Sequence, residues 1–273
     1  YLGLRYIRSK QKNGFGSFIS ASSTFGIALG VVVLIVGLSA MNGFERVLEK
    51  SLLSVIPHSE LIGVNQPLVD WQQTVQQIEK HPSVIAAAPV IKIQGMMQKK
   101  SKLKGLELRG VDVNFEQKVS ALPNYMVQGK WQDLTIENGV IIGVGIAKKL
   151  AVTVGDNVQM LFASPNAKQR GNQRQGALVK RNMTVVGIFK FDGDIDSGQA
   201  YISLEQAANI LDYPYVQAQG VRLKVDDIFN APLIANEAAM TIRNNDLVYI
   251  YDWTRIHGPI YNDIQLVRMV MYI

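Results

Sequence analysis

STFGIALGVVVLIVGLSAMNGF, residues 23–44, is the stretch on which the reading of this chain turns. It is the centre of an uncharged run from Asn13 to Phe44, with Lys12 the last charge before it and Glu45 the first after it. A helix that crosses the hydrocarbon core of a bilayer needs about 20 mostly apolar residues. Ile19 to Met41 supplies 23, so residues 18–44 are read as a transmembrane helix with room for tilt. A secretory signal peptide shares the plan of a basic start and an apolar core. Such cores run about 7–15 residues. This one is longer, and Ser39 and Met41 make no small-x-small cleavage site.

The flanks orient the span. Arg5, Arg8, Lys10 and Lys12 precede it with no acid among them, and Glu45, Arg46, Glu49 and Lys50 follow it and cancel. The positive-inside rule puts the N-terminus in the cytoplasm and residues 45–257 on the far side. Residues 1–17 read as a basic elbow on the membrane surface or as a disordered basic tail; the sequence leaves both open. Ser22, Gly26 and Gly30 repeat every four residues, a spacing that lets a second helix approach closely. Phe44, Val47, Leu48, Leu52, Val55 and Ile56 keep helical spacing past the span, and Pro57 ends the helix. No flexible linker interrupts it, which suits a stiff lever.

The chain has 273 residues, 48% hydrophobic, with a net charge of +6. Residues 45–257 hold 23 Lys and Arg against 21 Asp and Glu. The basic excess is thus mostly a topology signal, and a nucleic-acid role, which needs a basic face, finds little support. With no cysteine there is no disulfide framework and no thiolate chemistry. The chain starts without Met and stops at Ile273 inside an apolar run, so a fragment of a longer protein is expected. IYNDIQLVRMVMYI, after Gly258 and Pro259, reads as the start of a second membrane helix over 258–273.

Between the two apolar segments short strands and helices alternate. Strands are expected at 61–64, 84–98, 103–111, 139–144, 155–163, 182–191, 200–203, 220–225 and 247–251. Lys99–Lys104 reads as a turn. Asp70 with Gln73, and Ser203 with Gln206, look like helix-capping pairs. Asp112 starts a helix to Leu122, Ile146–Leu150 is a short helix, and Asn230 with Pro232 opens another. Alternation of Leu106 and Leu108 with Glu107 and Arg109 marks a half-buried strand.

Candidate chemistry is sparse. His58, His81 and His257 are scattered, and metal sites want clustered ligands, so all three read as structural. GVGIA at 143–147 would place the third glycine of a dinucleotide loop at Lys148, so the fingerprint fails and a tight strand-to-helix turn is expected. Asp192, Asp194 and Asp196 alternate like a calcium loop, but its positions 6 and 12 are Ser197 and Ser203, and the pattern requires Gly and an acid there. Neither a nucleophile elbow nor a Walker A motif is present. Two basic clusters remain. One is Lys99, Lys100, Lys102 and Lys104. The other is the polar segment Ser164–Arg181 with Lys168, Arg170, Arg174, Lys180 and Arg181. A connection of that length is either functional or a solvated insertion.

STFGIALGVVVLIVGLSAMNGFERVL resembles the first membrane helix of the LolC/LolE family of lipoprotein-releasing permeases. GVIIGVGIAKKLAVTVGDNV and MTVVGIF are similar to the periplasmic core shared with MacB-type transporters. YIYDW and IYNDIQLVRMVMYI look more LolE-like than LolC-like, and SPNAKQRGNQRQGALVKR lacks the proline-bracketed hook of the LolC type. The resemblance implies a four-helix permease subunit of the bacterial inner membrane. Its periplasmic domain would be α/β with two lobes, the inserted one near 98–199. It implies no catalytic residue, metal or cofactor in this chain, since a LolD-like ATPase dimer binds ATP. The implied partners are a LolC-like permease, the lipoprotein and a LolA-like periplasmic carrier. Val36, Ala40, Met41, Phe44 and Met271 are the expected acyl-chain contacts near the periplasmic end of the spans. A MacB-type exporter, and a single-span sensor ectodomain, are the alternative readings.

Overall fold

The computed structural model describes residues 14–50, 52–64, 66–163, 178–191, 193–242, 247–256 and 269. Contacts divide the chain into two compact units, residues 1–50 with 259–273, and residues 51–258.

In the first unit, helix α1 runs from Gly14 to Lys50. It therefore begins inside the segment read as the elbow and carries through the expected membrane exit. Its stretch Phe18–Met41 is 24 residues long with a mean hydropathy of 2.4, and none of it is buried. The expected second span, 258–273, lies outside the described residues except for position 269. The chain resumes as a short helix, α2 (Leu52–Val55), with position 51 outside the described residues. Pro57 follows it and is buried.

The second unit is built on one sheet. Its strands are β1 (Ser59–Gly63), β2 (Val84–Lys99), β3 (Lys102–Val111), β4 (Met126–Gln128), β5 (Gly139–Gly143), β6 (Asn157–Ala163), β7 (Leu178–Phe189), β8 (Gln199–Ser203), β9 (Gly220–Val225) and β10 (Val248–Asp252). The order is β10-β1-β9-β2-β3-β8-β5-β7-β4, with β6 bridging β2 and β7. Two pairings, β3 with β8 and β5 with β7, are parallel. The spine is the 16-residue β2. It pairs with β9 over Val84–Val90, with β3 over Val90–Lys99 and with β6 over Gly95–Gln98. The boundary expected at 98–199 thus falls inside a continuous sheet.

Helices pack where side-chain periodicity and caps dictate. α3 (Trp71–Ile78) starts at Asp70, whose carboxylate accepts from the Gln73 N–H at 3.0 Å. It buries Trp71, Thr74, Val75 and Ile78, the i, i+3, i+4, i+7 stripe of an amphipathic helix. α4 (Val113–Val119) is capped by Asp112, which accepts from the Asn114 and Phe115 N–H groups. It stops short of the expected Leu122, because Ser120 turns to extended backbone. α5 spans Val144–Leu150, α6 Asp194–Gly198, α7 Leu204–Leu211, α8 Ala231–Ala239 and α9 Trp253–Ile256. Ser203 caps α7 as expected, accepting from the Gln206 N–H. α7 sits so close to β3 that a Cβ on Gly110 would lie 2.1 Å from that of Ala207.

Two expectations need correction. The turn read at Lys99–Lys104 is only Lys100–Ser101, with Lys100 in the left-handed region at φ 53. Lys102 and Lys104 lie on β3, opposite Lys99 and Met97. The polar segment ends earlier than Arg181, because β7 begins at Leu178 and pairs Lys180 with Leu161 and Arg181 with Met160. The ladder thus takes in four residues, 178–181, that the charges had placed in the connection. Of the alternating acids, Asp194 and Asp196 lie on α6 (Asp194–Gly198), and Asp192 falls outside the described residues.

Candidate functional site

Strand register assembles a cluster that no local motif announces. Residues directly opposite in a sheet share a face, and alternate residues along each strand do too. Tyr251, Glu60, Arg222 and Ala88 form one row across β10, β1, β9 and β2. Four residues along β2 from Ala88, Lys92 begins a second row through Arg109 on β3 and Tyr201 on β8. Six ionisable side chains therefore meet on one side of the sheet: Glu60, Lys92, Glu107, Arg109, Glu116 and Arg222. Glu116 comes from α4, which packs on β2.

Their contacts form a chain of ion pairs. Lys92 bonds Glu60, and Arg222 bonds Glu116. The Arg222 Nε lies 3.9 Å from Glu60 Oε1. Arg109 donates to Glu107 at 2.6 Å, and Gln94 donates to the second Glu107 oxygen at 2.9 Å. Glu116 and Arg222 are 0% exposed and Glu60 4%.

Burial and charge set the protonation states. Burial pushes the Glu60 carboxyl up, but Lys92, Arg109 and Arg222 together outweigh it and hold it below the usual carboxylate range. For Glu116, burial outweighs Arg222 and raises the carboxyl. Burial also works against the Arg109 charge, yet Tyr201 and the carboxylates of Glu107 and Glu60 hold its proton more firmly than usual. Tyr201 is pushed up by burial. Each carboxylate faces a cation, so the cluster offers no free base for proton transfer. Its chemistry is cohesion.

The motifs that suggested ligands resolve into packing. Gly143 and Gly145 belong to a strand-to-helix turn, as expected. A Cβ on Gly143 would lie 2.2 Å from the Asp196 carbonyl, and one on Gly145 2.3 Å from the Ser197 hydroxyl. Gly143 and Gly145 thus pack on Asp196 and Ser197. Asp196 is buried, and its carboxylate accepts from the Phe191 N–H at 2.9 Å. His58 is buried with Nδ1 accepting from the Val225 N–H, and His81 lies 3.2 Å from Glu237. His257 falls outside the described residues. Among the described residues, no group of three or more His, Cys, Asp or Glu could hold a metal.

The residues singled out on the helix are open. Ser22, Gly26 and Gly30 are exposed, and nothing lies within 4 Å of a Cβ built on either glycine. Val36 is 62% exposed, Ala40 is exposed one turn further on, and Met41 is half-buried. Position 44 lies in α1, but the Phe44 side chain and Met271 fall outside the described residues, as do Lys168, Arg170 and Arg174. Lys180 and Arg181 are exposed on β7. Lys180 and Arg181 do not join the buried cluster. Its members were missed because each reads locally as a charge on a strand or short helix. The one available signal was Arg222 inside the otherwise apolar GVRL.

Comparison with known proteins matches residues 20–239 to the family model of the MacB-like periplasmic core domain. The chain is 36% identical over 277 residues, 100% of its own length and 65% of the relative's, to the lipoprotein-releasing system transmembrane protein LolE of Haemophilus influenzae. It is 34% identical over the same shares to the lipoprotein-releasing system transmembrane protein LolC of Neisseria meningitidis. The chain therefore spans 65% of the length of these curated relatives. Among solved structures, the extracellular domain of the noncanonic ABC-type transporter YknZ from Gram-positive bacteria matches 71% of this chain and 100% of its own. The TM-score is 0.48 and the identity 13%.

Proposed function

This chain belongs to the family that carries the MacB-like periplasmic core domain, and from that premise we propose that it is a permease subunit of an ATP-driven complex that releases lipoproteins from the bacterial inner membrane. The observation that carries the reading is the 36% identity along the whole chain, membrane helix included, to a lipoprotein-releasing transmembrane protein. The apolar helix with its basic cytoplasmic flank and the mixed α/β domain after it are the two parts such a subunit needs on this side of its second span.

In this reading the subunit is multi-pass and LolE-like, with 98–199 as the inserted lobe. It pairs with a LolC-like permease. A separate LolD-like ATPase dimer binds and hydrolyses ATP, and the subunit itself is no enzyme. Small residues Ser22, Gly26 and Gly30 form the helix seam, because their uncovered face admits a neighbouring helix at short distance. Val36, Ala40, Met41, Phe44 and Met271 touch the acyl chains. Methionine suits that role, since its flexible thioether adapts to chains of different length. The extracted lipoprotein passes to a LolA-like periplasmic carrier, recruited through the other permease.

The test is reconstitution of the full-length subunit with its permease partner and ATPase in proteoliposomes loaded with a lipoprotein. ATP should move the lipoprotein into the soluble fraction only when the carrier is present. Lipoprotein that stays with the vesicles despite ATP hydrolysis would remove this function from the chain.

A further inference from the structure

The segment Ser54–Ser59, which in chain order follows the long apolar helix, is tied to three parts of the ectodomain. The Ala121 N–H donates to the Ser54 carbonyl at 2.8 Å. The Val55 carbonyl receives two donors, the Ser120 hydroxyl at 3.2 Å and Arg222 Nη2 at 3.3 Å. His58 donates its N–H to the Leu223 carbonyl, and its own carbonyl accepts from the Trp253 N–H, both at 3.2 Å. Trp253 opens α9 at the end of the last strand, and its indole N–H is anchored on the Ile228 carbonyl at 2.7 Å. The segments by which the chain enters and leaves this unit are therefore bonded to each other and to β9.

At the centre is Arg222, fully buried, bridging Val55 and Glu116. Stability alone explains this choice poorly. A buried ion pair is often no better than apolar residues of the same volume. What an ion pair supplies and apolar packing does not is direction. Hydrophobic contact is non-directional, whereas hydrogen bonds weaken steeply as their angle opens. A segment held by directed bonds resists sliding and tilting against the sheet.

We propose that Arg222, with Glu116 and Ser120, is a clamp that transmits movement of the chain at Val55 to the sheet, and that Arg222 is the positioning residue of that clamp. This rests on the permease reading above. Loosening the clamp uncouples ATP hydrolysis, which stays in the partner subunit, from lipoprotein release.

The experiment uses the reconstituted full complex and reads ATPase rate, lipoprotein release and the thermal unfolding of the subunit side by side. The paired variant Glu116→Leu with Arg222→Met removes the Val55 bond from Arg222 and leaves no lone buried charge. Ser120→Ala removes the second bond by a smaller change. Both should release lipoprotein more slowly, the pair by about tenfold, within the range by which changes remote from a ligand alter coupling, while the ATPase rate and unfolding temperature stay put. Because the chain has no cysteine, Ser54→Cys with Ala121→Cys can be added to the paired variant and closed with a mild chemical oxidant. Oxidation should restore release, and reduction should return it to the slow rate. Unaltered release by the paired variant overturns the clamp, as does release and ATPase falling together, or a closed crosslink that restores nothing. A wild-type complex that hydrolyses ATP and releases no lipoprotein removes the permease reading and the clamp with it.

Discussion

VVVLIV at residues 31–36 and GVIIG at 139–143 are made of the same side chains, and the molecule treats them in opposite ways. In the first, every residue of a helix is 49–63% exposed. In the second, Val140, Ile141 and Ile142 on a central strand are 0% exposed. Burying a Val or Ile side chain is worth about 1.5–3 kcal/mol, so each run needs an apolar surrounding. The strand finds it in the protein, with Ile141 packed among Val111, Leu134, Phe189 and Tyr201. Among the described residues nothing covers the helix, and its length suits a bilayer as that surrounding. Length separates the cases: an uncharged 24-residue stretch is long enough to span the hydrocarbon core, and a five-residue run is not.

The comparison can be broken most severely at the one place where the ectodomain buries charge. Arg222→Ala alone leaves Glu116 buried without a cation, and losing one partner of such a pair costs about 3–5 kcal/mol. Denaturant titration of the purified subunit should show that loss, and the paired apolar replacement should recover most of it. A loss below about 1 kcal/mol would mean that Glu116 takes up a proton or water reaches it, so the cluster is not the dry core described here.

A smaller effect sharpens the contrast itself. Ile141→Ala should cost about 2–5 kcal/mol by leaving a cavity, whereas Val33→Ala, at a position 63% exposed, should stay within about 0.5 kcal/mol. Equal losses at the two sites would show that the helix is buried in the protein and faces no lipid.

Much of this division was legible in the sequence. The long apolar helix followed from length and the absence of charge, and the capping pairs at Asp70 and Ser203 from residue chemistry within four positions. What sequence could not show was register. Nothing local to GVRLKV says that Arg222 faces Glu60 on β1 and Glu116 on α4, since those partners are 162 and 106 positions away. LELRGV was read as half-buried, and Leu106 and Leu108 are indeed buried. Arg109 is largely covered too, because Tyr201 pairs with it from a parallel strand that periodicity alone cannot place. Segment ends erred where a side chain captured the backbone, as Ser120 does beyond α4.

Acid should expose the cluster by a smaller, graded change. The folded-state carboxyl of Glu60 lies below its ordinary value, so the unfolded chain binds the proton first. Its contribution to stability is present above the ordinary carboxylate range and is lost as pH falls through the depressed folded value. Glu116 has the opposite sign: the folded state takes its proton first, and stability is gained as pH falls through the raised value. Glu60→Gln should therefore flatten the acid limb of a stability–pH profile, and Glu116→Gln should steepen the part just above the ordinary range. Identical profiles for both variants would show that neither carboxyl is shifted as described.

The smallest effect on folding is expected at the basic residues around β7. Lys180 and Arg181 are exposed, and their backbones pair with Leu161 and Met160, so the ladder does not depend on their side chains. Changing Lys168, Arg170, Arg174, Lys180 and Arg181 together to Ser should alter stability by no more than about 0.5 kcal/mol. Function is the sharper readout. If these charges engage an acidic partner or lipid head groups, the five-fold variant releases lipoprotein more slowly, and the deficit shrinks at high salt, where wild type also loses the attraction. Contacts of this kind are screened over about 8–10 Å at physiological ionic strength. The loss should be partial, because SPNAKQRGNQRQGALVKR lacks the hook pattern that would recruit the carrier directly. Release measured at two salt concentrations separates the cases: equal activity of variant and wild type at both makes the segment a solvated insertion, and a deficit independent of salt assigns its effect to shape and not to charge.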